Sequence, residues 1–322
     1  MAAGSLVAAV VAVVIAVAAG IGGRSHHSSP PTASAHAGTT AHKTSTGGRS
    51  RAGSPAATAK LGVPILVYHV INSPPPGTSS PSLYVPASEF TAQMQALKAA
   101  GWHAVTLDQL EAHWTHGASL GTTKPIVISF DTGYASQYNT ALPVLRQLGW
   151  VGVENLALNS LPASEGGITD SEIRALVSAG WELDSEGEGA ADLTALSTSG
   201  LQYQVATARQ SLHGTYGAPA NWFAYPGGHY DATVMAAVKA AGYLGATTET
   251  AGWATAQDDR YALPRLTVAP GTSPSALLNS IATARSAAPP SASGGGTTGT
   301  GTTGTGTTGS GTTGTGTTGT SG

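Results

Sequence analysis

Through the middle of the chain, short unbroken apolar runs alternate with longer stretches whose apolar residues recur at helical spacing. "VPILVYHV" (63–70) and "KPIVISFD" (124–131) are continuous and rich in β-branched residues, as strands buried on both faces are. "WHAVTL" (102–107), "WVGVENLAL" (150–158), "NWFAYP" (221–226), "LGATT" (244–248) and "ALPRLTV" (262–268) read as further strands. Between them, "ASEFTAQMQALKAAG" (87–101), "DQLEAHWTHG" (108–117), "ASQYNTALPVLRQLG" (135–149), "TDSEIRALVSAG" (169–180), "LQYQVATARQSLHGTYG" (201–217) and "DATVMAAVKAAG" (231–242) read as helices. Gly101 ends the first of these, Pro143 kinks or breaks the third, and Thr169 is placed to cap the fourth.

One stretch resists this reading. "GWELDSEGEGAADLTALS" (180–197) starts as a strand over Trp181–Leu183 and then sets Glu182, Asp184, Glu186, Glu188 and Asp192 close together, with no histidine among them. It is taken as a strand followed by an acidic, glycine-containing loop. Asp184, Glu186, Glu188 and Asp192 are then either a solvated rim or an oxygen-ligand site for calcium or magnesium.

Repeated strand–helix units of this length imply a parallel β/α barrel with its helices outside. Chemistry in such barrels sits at the carboxyl ends of the strands. Those ends are His69, Asp131, the acidic stretch after Leu183 and "YPGGHYD" (225–231), so the four are expected to converge on one face.

The ends of the chain are of other kinds. Residues 6–21 are an uninterrupted apolar run, shorter than the roughly 20 residues that span a bilayer and longer than many signal-peptide cores. Residues 1–23 are therefore read as a signal peptide or an uncleaved membrane anchor, and either reading makes the chain an exported protein. Residues 24–60 hold five basic residues, no acid and little apolar surface, which describes a disordered basic linker. Residues 287–322 repeat a Thr/Gly pattern of five with no apolar face, a flexible tail.

Residues 61–286 carry all 17 Asp and Glu against nine of the 14 Lys and Arg, a net charge of −8. That balance argues against a nucleic-acid partner. Cysteine is absent, so the fold has neither disulfides nor thiolate metal ligands and rests on its core.

Read in order, "VPILVYHV", "ISFDTGYASQYNTALPVL", "GWELDSEGEGAADLTALS", "FAYPGGHYD", "AAGYLGATT" and "LPRLTV" resemble the polysaccharide deacetylase family (NodB-like, carbohydrate esterase family four) over nearly all of residues 61–280. The resemblance implies an α/β fold, a distorted parallel (β/α)7-8 barrel, that removes acetyl groups from N-acetylated sugars, usually with zinc. Such chemistry needs a cation to polarise the amide and bind water, a carboxylate base, and an acid for the leaving amine.

Several positions depart from the family pattern. Asp131 keeps the base position, but the three ligand positions hold Thr132, Glu186 and Ala190. Ala224 stands where the family often has an arginine that steadies the base, and no histidine follows His229 to serve as acid. The expectation is a protein of the cell envelope, without zinc, serving as a carbohydrate-binding or structural module. An active deacetylase with an altered divalent-ion site near Asp131 and Glu186 is the alternative, and a protein-interaction domain is a third reading. Its partners are then a cell-wall or extracellular polysaccharide, and the membrane if residues 1–23 stay attached.

Within that frame, His69, Tyr134, Tyr225, Gly228, His229 and Tyr230 are the candidate substrate-binding residues, the three tyrosines offering flat rings to sugar faces. Trp181 and Trp222 begin strands and belong to the core. His103, His113, His116 and His213 read as solvent-facing.

Overall fold

The computed structural model describes residues 62–161, 166–189 and 191–286. The apolar run, the basic linker, the Thr/Gly tail and Ala190 lie outside the described residues, as do the boundaries drawn at 23 and 60. Among the described residues no helix is long and apolar enough to cross a membrane.

Strands β1 (Val63–Tyr68), β3 (Lys124–Thr132), β4 (Val153–Ala157), β5 (Glu182–Gly187), β6 (Trp222–Ala224) and β7 (Gly245–Thr247) form the main sheet in the order β7-β6-β5-β4-β3-β1. All of these neighbours are parallel. Short β2 (Trp102–Ala104) pairs with β3, and β8 (Trp253–Ala254) runs antiparallel to the start of β1.

The sheet curls until its two ends are joined by one stretch of chain. Leu263 N–H donates to Ala246 O and Thr248 N–H donates to Leu263 O, so the first part of this stretch lies along β7. Its continuation, β9 (Leu266–Thr267), pairs with Leu66 and Val67 of β1. This is the parallel barrel the alternating pattern predicts, distorted as the family resemblance implies.

The unbroken apolar runs are explained by burial on both faces. In β1, Leu66 and Tyr68 point outward and pack with Phe90, Met94 and Leu97 of α1 (Ala87–Ala99), while Val63 and Ile65 belong to an inner cluster with Val127, Val153 and Trp222. Leu107 and Leu110 of α2 (Leu107–His116) complete that inner cluster and close the foot of the barrel. Thr106 caps α2, its side chain accepting from Gln109 N–H.

The remaining helices are α3 (Leu142–Gln147), α4 (Asp170–Ser178), α5 (Thr198–Gln202), α6 (Ala208–Tyr216), α7 (Ala232–Ala240) and α8 (Pro274–Ser286). Thr169 caps α4 as expected, and Glu172 completes a capping box with it. Wider, π-type turns at Gln137–Ala141 and Tyr203–Thr207 lead into α3 and α6.

Three readings are corrected here. The acidic stretch is not a loop after Leu183: it continues β5 through Gly187, with Asp184 and Glu186 buried. Acids at 182, 184 and 186 share one side of a strand because the side-chain period is two, and Leu183 turns the other way to pack against Leu156 and Ile173. His113 is buried rather than solvent-facing, with Nδ1 2.7 Å from Ala118 O. Helix α8, unassigned in the sequence reading, packs Leu277 and Ile281 onto the outer core.

Candidate functional site

Asp131 ends β3 on the inner side of the barrel and is fully buried. In the parallel register it lies beside Asn155 of β4, which in turn lies beside Asp184 of β5. Asn155 Nδ2 donates to Asp131 Oδ1 at 2.7 Å. From the stretch that closes the barrel comes Arg265, with no measurable exposure, whose two terminal nitrogens donate to Asp131 Oδ1 at 2.9 Å and Oδ2 at 2.8 Å. Its Nε donates to Thr248 O at 2.8 Å, fixing the guanidinium plane.

This pair overturns one expectation. The arginine thought lost with Ala224 is supplied from another strand, so Asp131 keeps a counter-charge. Burial raises the Asp131 carboxyl, but the Arg265 charge and hydrogen bonds outweigh it, and the group is held below its ordinary range and ionised at neutral pH.

Thr132 follows with φ of +80°, a left-handed conformation that a β-branched residue rarely adopts. The turn aims its hydroxyl across the barrel, and Oγ1 donates to Glu186 Oε2 at 2.9 Å. Burial, reinforced by the nearby Asp131 charge, pushes the Glu186 carboxyl well above its usual range. Gln137 locks the mouth behind these residues. Its Nε2 donates to His69 O and Asp131 O, and its Oε1 accepts from Tyr134 N–H.

His69 is where the sequence places it, at the end of β1 beside Asp131. One ligand-type atom each from His69, Asp131 and Glu249 lie within 4.8 Å of one another. Burial lowers the His69 pKa, with Asp131 and Glu249 opposing that shift and Arg265 adding to it. The imidazole is therefore neutral at pH 7.

The other candidates separate. Tyr134 is partly exposed, and burial with the nearby Glu186 and Tyr84 raises its pKa, so Tyr84 and Tyr134 both flank the mouth. Tyr225 does not line it: the ring is wholly buried against Phe223 and its hydroxyl donates to Tyr261 O at 2.9 Å. Tyr230 stacks on Tyr225 with centroids 4.7 Å apart and remains partly open.

Gly228, at φ of +71°, lets its loop approach Glu249 so closely that a Cβ would lie 2.9 Å from the Glu249 Cβ. His229 is exposed, its Nδ1 3.4 Å from Asp192 Oδ2.

The acids of the 182–192 stretch do not gather around a common point. Glu182 accepts from Leu107 N–H and Asp108 N–H at the foot of the barrel, and Asp184 accepts from Trp222 N–H. Glu188 accepts from Asn159 Nδ2, and Asp192 from Thr194 N–H. Glu186 accepts from Thr132 Oγ1, so the calcium- or magnesium-type site expected of Asp184, Glu186, Glu188 and Asp192 is not formed among the described residues.

With the geometry in view, the comparisons agree with the resemblance. Residues 120–246 match the polysaccharide deacetylase family model. The match supports a NodB-like polysaccharide deacetylase domain over that segment. A Bacillus subtilis protein named as a polysaccharide deacetylase, YxkH, is 29% identical over 216 residues, 67% of this chain and 74% of that protein. A Bacillus anthracis structure named as a polysaccharide deacetylase, BA0330, covers 69% of each chain at 26% identity and a TM-score of 0.62. The Streptococcus pyogenes deacetylase PplD, solved with acetate, shares the fold at a TM-score of 0.63 and 23% identity, over 69% of this chain and 99% of that one.

Deacetylases of this family are generally metal-dependent, so the domain's own residues have to be tested against a zinc ion. Thr132 offers a neutral hydroxyl already donated to Glu186, whose Oε2 is taken up by that bond. Catalytic zinc takes three imidazole, carboxylate or thiolate ligands. The described family positions do not supply them. The His69–Asp131–Glu249 group has suitable atom types, but both Asp131 oxygens already face the Arg265 guanidinium.

Proposed function

We propose that this protein is exported to the cell envelope and that its deacetylase-type barrel binds carbohydrate there without zinc-dependent removal of acetyl groups. The observation that carries this reading is the Thr132–Glu186 hydrogen bond, which ties together two positions a deacetylase would use to hold its metal. Without a cation to acidify water, Asp131 would have to abstract a proton as a carboxylate whose basicity Arg265 has lowered. The half-open rings of Tyr84 and Tyr134 at the mouth suit a sugar face. Export is supported by the apolar run at 6–21 and the basic linker after it.

The test combines three measurements on the purified chain: bound zinc after dialysis against the metal, acetate released from an N-acetylglucosamine pentamer, and calorimetric binding of that pentamer. Binding with neither zinc nor acetate is expected. Stoichiometric zinc together with acetate release would overturn the reading. Fractionation of the producing cells, with the chain recovered from the cytosol, would overturn export.

A second reading is favoured by the His69–Asp131–Glu249 geometry: a hydrolase using an ion held there. It requires metal binding that Glu249→Gln abolishes, which the same zinc measurement reads.

A further inference from the structure

At the opposite end of the barrel from the mouth, a groove of about 1200 Å³ opens where β1, β2 and β3 begin. Its floor is apolar, from Trp102, Trp253, Leu278 and Ile281. Lys124 Nζ lies 5.5 Å from the Trp102 ring centre and the Arg285 guanidinium 5.3 Å from that of Trp253. The two indoles meet edge to face at 5.9 Å, and each ring holds one cation.

Lys124 and Arg285 are the charged residues lining it, and no lining residue is acidic. In a domain of net charge −8 this is an unusual place. Neither cation has a carboxylate partner among the described residues: Lys124 Nζ donates only to Ala100 O, and Arg285 rests on Trp253. Gly62 also lines the groove.

We infer that this groove is a docking surface for an acidic polysaccharide, a sugar chain bearing carboxylates, separate from the barrel mouth. An apolar floor with two fixed cations above it fits a ligand that carries C–H faces and negative charge together. A neutral glycan would leave both cations unused, and a basic partner would be repelled. The inference does not depend on what the mouth binds.

The test uses the full chain with polygalacturonate, and compares it with the Lys124→Gln/Arg285→Gln double variant. Polygalacturonate binding at low salt is expected to weaken at least tenfold in the double variant, whose unfolding midpoint should stay within a degree of the parent. Poly-L-glutamate, which carries charge without sugar faces, is expected to lose less than twofold. Fully methyl-esterified polygalacturonate is expected to bind the parent at least tenfold more weakly than the acid form. No binding of polygalacturonate, no loss in the double variant, an equal loss for polyglutamate, or equal binding of the neutral ester would each overturn the inference.

Discussion

Arg265 and Asp131 face each other through two parallel hydrogen bonds of 2.9 and 2.8 Å, with both side chains fully buried. Removing one member of such a pair leaves an uncompensated charge in the interior, which costs about 3–5 kcal/mol, whereas replacing both by apolar groups is often close to neutral. Arg265→Gln is expected to lower unfolding stability in urea by that amount. Arg265→Met combined with Asp131→Leu should recover most of the loss. If the single and double variants are equally unstable, the pair is not what Asp131 depends on.

Stability should fall as pH rises through neutrality. Burial, aided by Asp108, pushes the Glu182 carboxyl up to about 7, and burial pushes Glu154 well above the usual range. A group raised in the folded state contributes stability that is complete below its unfolded pKa and lost as pH climbs to the folded value. For Glu182 that window runs from about 4.5 to 7, on the order of 3 kcal/mol. Asp131 works in the opposite sense, but only at acid pH below its ordinary range. Urea midpoints between pH 5 and pH 8 are therefore expected to decline.

Glu154 isolates one source of that decline. It is fully buried, and neither of its carboxyl oxygens has a hydrogen-bond partner. Glu154→Gln removes the titration and should stabilise the domain more at pH 8 than at pH 5, by about 1–3 kcal/mol at the higher pH. An equal effect at both pH values would show that Glu154 does not titrate in this range.

The φ of +80° at Thr132 gives a paired test. Asparagine tolerates that conformation and can still donate to Glu186, so Thr132→Asn should gain about 1 kcal/mol. Thr132→Val keeps the strain and deletes the donor, and should lose about 1–3 kcal/mol. Thermal unfolding of the two variants should move in opposite directions.

These residues also mark how far the sequence could be read. β1 and β3 were legible because Val63, Ile65 and Val127 fill the barrel while Leu66, Tyr68 and Ile128 meet the helices, so apolar residues are needed on both faces of each strand. The cap at Thr169 was legible because its partner Glu172 is three residues away. β5 was misjudged because carboxylates suggest solvent, yet Glu182, Asp184 and Glu186 recur every second residue, which is the mark of a strand with a polar inner side.

The same alternation would have placed Tyr225 with Phe223 in the outer cluster, away from the mouth. Leu277, Leu278 and Ile281 are spaced as a helix face and could have revealed α8. Arg265 had no local signal at all: its partner is 134 residues earlier in the chain, and only barrel closure brings them together.

That closure has a consequence for biogenesis. The stretch that seals the ring also delivers the guanidinium, so a nascent chain holds Asp131 long before its neutralising group has been synthesised. Until residues 260–267 emerge, the half-formed barrel has an open seam and an unanswered charge at its centre. Sealing the seam and answering the charge are one event, late in the life of the polypeptide.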